Sequence, residues 1–175
     1  MMQLQQFGNT DALNADFAAR LVDILQQAIE QRGAAYLVVS GGKTPQALFN
    51  TLSNTDLAWD KVTVLLADDR WLDVSQADSN ERLVKATLLQ NKASNARFIS
   101  LYADTASAFT GAAEVLPRIS ALPTFDAVIL DRIASLHRVI ELAGFRRDAQ
   151  PRDRVAATAA EFLRGFPVPR GTVAR

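Results

Sequence analysis

Ala35-Tyr36-Leu37-Val38-Val39 runs directly into Ser40-Gly41-Gly42-Lys43-Thr44-Pro45 and then Gln46-Ala47-Leu48-Phe49. The first five residues show no polar alternation, the pattern of a strand buried on both faces of a parallel sheet. Gly41 and Gly42 give the backbone the freedom of a tight turn and let amide groups approach a ligand closely. Thr44 suits a helix N-cap and Pro45 a first helical position, which predicts a helix carrying Leu48, Phe49 and Leu52 with its start facing the turn. Orphan amides, the helix dipole and the Lys43 ammonium together favour an anion such as phosphate. The spacing is not that of a Walker loop. The same residues also make an ordinary βα turn with a capped helix, and spacing alone leaves both readings open.

Working outward, Leu13, Phe17, Leu21, Leu25 and Ile29 recur every four residues, predicting a first helix capped by Asn9 or Thr10 and stopped by Gly33. Lys61 to Leu66 is a second strand of buried type and ends at Asp68-Asp69-Arg70-Trp71. Residues 72–79 are polar and loop-like. Asn80 to Gln90 is predicted helical, with Leu83, Ala86, Thr87 and Leu89 inward. Arg97 to Leu101 is a third strand, Ala106 to Leu122 a helix kinked or broken at Pro117, and Phe125 to Leu130 a further strand. Arg132 to Ala143 is predicted as an amphipathic helix. Strands alternating with helices make this an α/β protein, doubly wound, with a mostly parallel sheet and helices on both faces. Residues 1–145 form the predicted domain, and 146–175 an Arg/Pro/Ala-rich tail that is expected to be partly ordered at best.

The chain has 175 residues, enough for one sizeable core, and 49% of them are apolar. Its apolar runs are too short to cross a bilayer, so no membrane partner is expected. No basic-then-apolar N-terminal segment signals secretion. Cysteine is absent, which removes disulfides, thiolate metal sites and a thiol nucleophile, and is compatible with a reducing cytoplasm. The net charge of zero hides an asymmetry: residues 1–131 sum to −5 and residues 132–175 to +5, with nine Arg and no Lys in the latter. Those arginines lack aromatic interleaving or a binding module around them, which argues against nucleic acid. Composition specifies no oligomeric state.

Two further constellations accompany the glycine turn. Asp68-Asp69-Arg70 stands at the carboxyl end of a strand, where ligands sit in open α/β sheets. A carboxylate there can orient a water or a sugar hydroxyl, and Arg70 can clamp phosphate with two parallel hydrogen bonds. A solvated loop with a local Asp–Arg pair is the plain alternative. Asp78-Ser79-Asn80 leads into a helix; all three residue types cap helices, yet Ser79 and Asn80 equally suit a sugar. The one histidine, His137, lies within the predicted late helix, a place more typical of packing than of catalysis.

In order and spacing these pieces resemble the 6-phosphogluconolactonases. The resemblance rests on Ser-Gly-Gly-Lys-Thr-Pro, Leu48-Phe49, Trp59 with Lys61-Val62, Asp-Asp-Arg-Trp, Asp78-Ser79-Asn80 and Phe125-Asp126-Ala127-Val128-Ile129-Leu130, over about residues 1 to 130. It implies the fold shared with glucosamine-6-phosphate isomerase/deaminase, and hydrolysis of 6-phosphogluconolactone to 6-phosphogluconate in the pentose phosphate pathway. No metal or organic cofactor is implied. By the same resemblance Gly41, Gly42, Lys43 and Thr44 lie at the ligand, Arg70 and Arg82 are the cations for phosphate, and Ser79 and Asn80 line the site. Asp68 falls at the family's first carboxylate, a catalytic position, and Asp69 replaces the usual Glu with a shorter reach.

The chain then departs from the pattern. Where the family carries Gly-x-Gly-x-Asp-Gly-His-Thr-Ala-Ser-Leu-Phe-Pro, it reads Leu130-Asp131-Arg132-Ile133-Ala134-Ser135-Leu136-His137-Arg138. Aligning Ala134-Ser135-Leu136 with Ala-Ser-Leu puts Arg132 at the His that activates water, and a guanidinium does not act as a base near neutral pH. A deletion or frame change near residue 131 is the hypothesis from which the Lys-free, Arg-rich tail would follow. Weak lactonase activity or none is therefore expected. The alternatives are an aminosugar-phosphate isomerase/deaminase, a non-catalytic sugar-phosphate-binding module and a non-functional product.

Overall fold

A computed structural model describes residues 7–130, together with the backbone of a two-residue strand at 140–141. Helix α1 (Thr10–Arg32) starts at Asn9, whose side chain accepts from the Ala12 amide, and ends at Gly33 with φ 76°, a left-handed conformation that glycine adopts at no steric cost. Then follow β1 (Ala35–Val39), α2 (Gln46–Ser53), β2 (Val62–Leu66), α3 (Asn80–Thr87), β3 (Arg97–Ile99), α4 (Ala108–Ser120), β4 (Ala127–Ile129) and β5 (Ile140–Glu141). Short 3-10 turns at Trp59–Lys61 and Asn91–Asn95 complete the connections.

The sheet order is β3-β2-β1-β4-β5, with the first four strands parallel and β5 antiparallel to β4. Val39 is level with Leu66 on one side and Ile129 on the other, so three strands end together. The chain winds from β1 outward to β3 and then returns to the far side of β1. That reversal makes the carboxyl end of β1 a topological switch point, where a crevice opens between diverging connections.

Because successive strand side chains alternate, each strand supplies both faces. Leu37, Val39, Val64, Leu66, Ala127 and Ile129 pack in one core with Phe17, Leu21 and Leu25 of α1, Leu48, Phe49 and Leu52 of α2, and Val84 of α3. Val38, Leu65, Ile99 and Val128 form a second core, against which Ile119 of α4 and Phe125 pack. The sheet is thus covered on both sides, the expected layered architecture. Leu21 and Leu25 are fully buried, and truncating either to Ala is expected to cost about 2–5 kcal/mol. Asp126 ties β4 to β1: its Oδ2 accepts from the Tyr36 amide at 2.8 Å and its carboxylate pairs with Arg32.

Several boundaries differ from the sequence reading. Helix α4 runs through Pro117 to Ser120 without a break there, because a proline near a helix end removes only one ladder bond. Helix α3 ends at Thr87 and turns inward along Glu81, Val84 and Leu88, a stripe shifted from the Leu83, Ala86, Thr87 and Leu89 expected. The late helix expected over Arg132 to Ala143 is contradicted at 140–141, where the backbone instead pairs with Val128 and Ile129. The rest of that segment and the tail from 146 onward lie outside the described residues. Among the described residues no helix is long and apolar enough to cross a membrane.

Candidate functional site

The glycine turn continues from β1, with the Ser40 amide donating to Ile129 O at 2.9 Å. Gly42 has φ 105°, which a side-chain-bearing residue would hold only under strain. The helix starts one residue later than expected. Pro45 stands at the N-cap, its carbonyl accepting from Phe49, and Thr44 forms no capping bond. A Lys43–Gln46 turn at 3.4 Å precedes it, so Lys43 and Thr44 lie exposed on that turn. Neither side chain has a partner among the described residues.

Asn80 brings the separate motifs together. A Cβ added at Gly41 would lie 2.1 Å from Asn80 Oδ1, so the glycine is required for the Asn80 side chain to fit. Asn80 Nδ2 also donates to Asp68 O at 3.3 Å. One side chain therefore joins the turn after β1, the end of β2 and the start of α3. Ser79 is buried as the α3 N-cap, its Oγ accepting from the Arg82 amide at 3.2 Å. That geometry gives Ser79 to capping. Arg82 is exposed and its Nη1 donates to Ser75 O at 2.7 Å, which commits the guanidinium to the 72–79 loop.

The strand end after β2 is electrostatically uneven. Asp69 Oδ1 accepts from the Arg70 amide at 2.8 Å, while its Oδ2 is buried with no hydrogen-bond partner among the described residues. Desolvation pushes the Asp69 carboxyl above the usual range; backbone amides of Arg70 and Asn80 oppose this, and the charges of Glu81 and Asp68 add to it. Asp68 is also raised, by desolvation, with the Arg70 guanidinium pulling it back. Paired carboxylates with raised proton affinity are suited to accepting a proton or a hydroxyl hydrogen bond. Arg70 Nη1 lies 3.4 Å from Asp78 O and 3.8 Å from Asp78 Oδ1, with 55% of its side chain exposed. An ion pair that long and that exposed leaves the guanidinium free to reorganise onto a better anion.

Two residues that the sequence reading did not assign also shape the site. Trp71 has φ 53°, and its ring occupies the space beside Gly111 of α4, where a Cβ would approach it to 2.0 Å. Its Nε1 donates to Thr105 O at 3.3 Å, and its ring packs against Tyr102 at 5.5 Å. Trp71 thus anchors the Asp68–Arg70 segment to α4. Glu81 is the other: it is buried, accepting from Ser100 Oγ and pairing with Lys85. Its i, i+3, i+7 relation to Val84 and Leu88 was a readable signal of inward orientation. His137 lies outside the described residues, and among the described ones no group of three or more His, Cys, Asp or Glu is placed to hold a metal ion.

The glucosamine-6-phosphate isomerase/6-phosphogluconolactonase family matches residues 8–132, ending where the catalytic-loop pattern is lost. The 6-phosphogluconolactonase of Pseudomonas aeruginosa is 44% identical over 104 residues, 59% of this chain and 44% of that protein. That of Mesorhizobium japonicum is 42% identical over 125 residues, 71% of this chain and 52% of its own length. The crystal structure of a 6-phosphogluconolactonase from Shewanella baltica superposes with a TM-score of 0.68 at 43% identity, covering 70% of this chain and 53% of that one. The chain spans about half the length of the curated relatives it matches. With the glycine turn, the acid–Arg strand end and Asn80 meeting at one sheet edge, and with this match over most of its length, the chain belongs to the glucosamine-6-phosphate isomerase/6-phosphogluconolactonase family.

Proposed function

We propose that the carboxyl edge of β1 and β2 binds a phosphorylated sugar lactone, and that the chain is a 6-phosphogluconolactonase-type hydrolase. The reaction is conversion of 6-phosphogluconolactone to 6-phosphogluconate in the pentose phosphate pathway. The observation that carries this is the convergence of Gly41, Asp68 and Asn80 through one side chain at the switch point of the sheet. In this proposal amides of Gly41, Gly42 and Thr44, with the Lys43 ammonium and Arg70 guanidinium, neutralise the phosphoryl group. Asn80 presents its amide to a sugar oxygen. Asp68 and Asp69 orient the attacking water or a ring hydroxyl. Ser79 and Arg82 support the site from α3 through capping and the 72–79 loop.

Lactone hydrolysis requires an activated water and stabilisation of the oxyanion that forms as the carbonyl is attacked. The family's histidine base is replaced in the sequence by Arg132, so turnover is proposed to be weak. The unit carrying these functions is residues 1–145, with 146–175 an accessory tail, and a cytoplasmic location suits a sugar-phosphate substrate and a cysteine-free chain. Acid release from fresh 6-phosphogluconolactone above its spontaneous rate tests the hydrolase reading. Turnover like that of an ordinary family enzyme would overturn the loss of the base. A ketose-forming assay with glucosamine 6-phosphate separates the isomerase/deaminase alternative.

One observation favours a second reading. Arg132 stands where the family carries its water-activating histidine. A sugar-phosphate-binding module without turnover fits a site that keeps its phosphate cations and lacks that base. It gives saturable binding of 6-phosphogluconate with no acid release.

A further inference from the structure

Glu81 is a third carboxylate at this edge, and ligand binding alone does not account for it. It is only 6% exposed, a burial that glutamate reaches almost only when paired. Its Oε2 accepts from Ser100 Oγ at 2.5 Å, and its Oε1 meets Lys85 Nζ at 2.6 Å one helical turn on. Ser100 follows β3. Its Oγ also accepts from the Tyr102 amide at 3.1 Å. Arg118 of α4 donates to the Ser100 carbonyl at 3.2 Å and to that of Tyr102 at 2.7 Å. Glu81 therefore links the first turn of α3 to the end of β3 and, through it, to α4. The residue immediately before it is Asn80, seated on Gly41 and bonded to Asp68 O. From the end of β2, Asp69 lies within reach of its charge.

From this arrangement we infer that Glu81 is a positioning residue of the site: it pins α3 to Ser100 so that Asn80 stays on the Gly41 turn. The inference rests on the proposed reading of this edge as the ligand site, but its consequences can be measured with no ligand present. The charges around Glu81 and Asp69 are Lys85 on the same helix, Asp68 and Arg70 after β2, and Arg118 reaching Ser100 from α4. A negative charge near Asp69 disfavours its ionised form, and a positive one favours it. Neutralising Glu81 therefore lowers the Asp69 midpoint. A buried ion pair with a purely structural role changes stability and leaves the Asp69 proton where it was.

The experiment is a carbon-detected NMR pH titration of the Asp69 carboxyl in the full chain, without ligand, with the Asn80 side-chain amide followed alongside, for the wild type, Glu81→Gln and Ser100→Ala. The expected result is a downward shift of the Asp69 midpoint in Glu81→Gln. Ser100→Ala keeps the charge but loses the hydrogen bond, and displaces the Asn80 side-chain amide resonances. Unmoved Asn80 resonances in Ser100→Ala overturn the positioning role, and an Asp69 midpoint unchanged in Glu81→Gln reduces Glu81 to a purely structural ion pair and overturns it too. Should Glu81→Gln fail to fold, Ser100→Ala decides alone, because it removes the Glu81–Ser100 bond and spares the Glu81–Lys85 pair. Failure of 6-phosphogluconate to bind would count against the proposed function and leave both of these readouts intact.

Discussion

The Asn80 side chain occupies the space that any side chain at position 41 would need: a Cβ on Gly41 would come within 2.1 Å of Asn80 Oδ1 and 2.2 Å of its Cγ. The two residues are 39 positions apart in sequence and belong to different βα units. Their contact closes the edge of the sheet at which the reversal of winding opens a crevice.

Gly41→Ala is therefore expected to expel Asn80 from its seat and break its bond to Asp68 O. Overpacking of this kind costs about 1–3 kcal/mol. Chemical denaturation measures that loss, and 6-phosphogluconate binding should weaken with it. Asn80→Ala in the Gly41→Ala background relieves the clash and should recover stability without recovering binding. Equal stability of the single and double variants would contradict the contact.

Gly111→Ala meets the Trp71 ring, where a Cβ would lie 2.0 Å from an aromatic carbon. Trp71 already holds a positive φ, a conformation that costs about 1–3 kcal/mol and persists only where the surroundings enforce it. Displacing the ring should release that strain and mobilise Arg70. Near-ultraviolet circular dichroism and tryptophan emission are expected to change, since Trp59 is buried elsewhere with its Nε1 bonded to Thr55 O. An unchanged spectrum would place the anchor elsewhere.

Lys43→Ala and Arg70→Ala remove exposed cations that contribute little to the folded state. Stability is expected to change by less than about 0.5 kcal/mol in each. Binding of 6-phosphogluconate should weaken by about tenfold or more per residue, since a charge-assisted bond to phosphate is worth about 1.5–3 kcal/mol. Calorimetric titration of both variants checks this.

Asp69→Asn addresses the buried oxygen without a partner. The Asp69 carboxyl has its proton affinity raised by desolvation, so the protonated form is favoured in the folded chain relative to the unfolded one. Its contribution to stability is therefore greatest below the unfolded value and declines as pH rises through the elevated folded value. At neutral pH the neutral amide removes that penalty and should stabilise the fold, by about 0.5–2 kcal/mol. The gain should vanish in acid. Melting temperatures of both proteins across pH 3 to 8 test the sign, and a variant less stable than the wild type at neutral pH would contradict it.

Local pattern was enough to locate most of the sheet. Val-rich runs without alternation mark β1 and β2 because strands covered on both faces need apolar residues at every position. Asn9 and Gly33 bracket α1 because their capping chemistry is confined to neighbouring residues. What escaped detection depends on distant partners. Glu81 shares a helical stripe with Val84 and Leu88, but the group that lets a carboxylate be buried there, Ser100, follows β3, and this burial turns α3 away from the expected face. Trp71 has no assignable role until Gly111, Thr105 and Tyr102 arrive from 31 to 40 residues downstream. The pairing at 140–141 is two residues long, too short for any periodicity to show. At the site, the glycine turn and the acid–Arg strand end could be read separately; that Asn80 unites them is a fact of the fold.

In the proposed function, the βα turn after β1 and the strand end after β2 form a single pocket for the phosphoryl end of a sugar. Amide NMR of the chain titrated with 6-phosphogluconate tests it most directly. Saturable shifts of Gly41, Gly42, Lys43 and Thr44, moving in concert with the Arg70 side chain, are the expected result. Shifts confined to other parts of the sheet, or a turn that does not respond at saturating ligand, would contradict it.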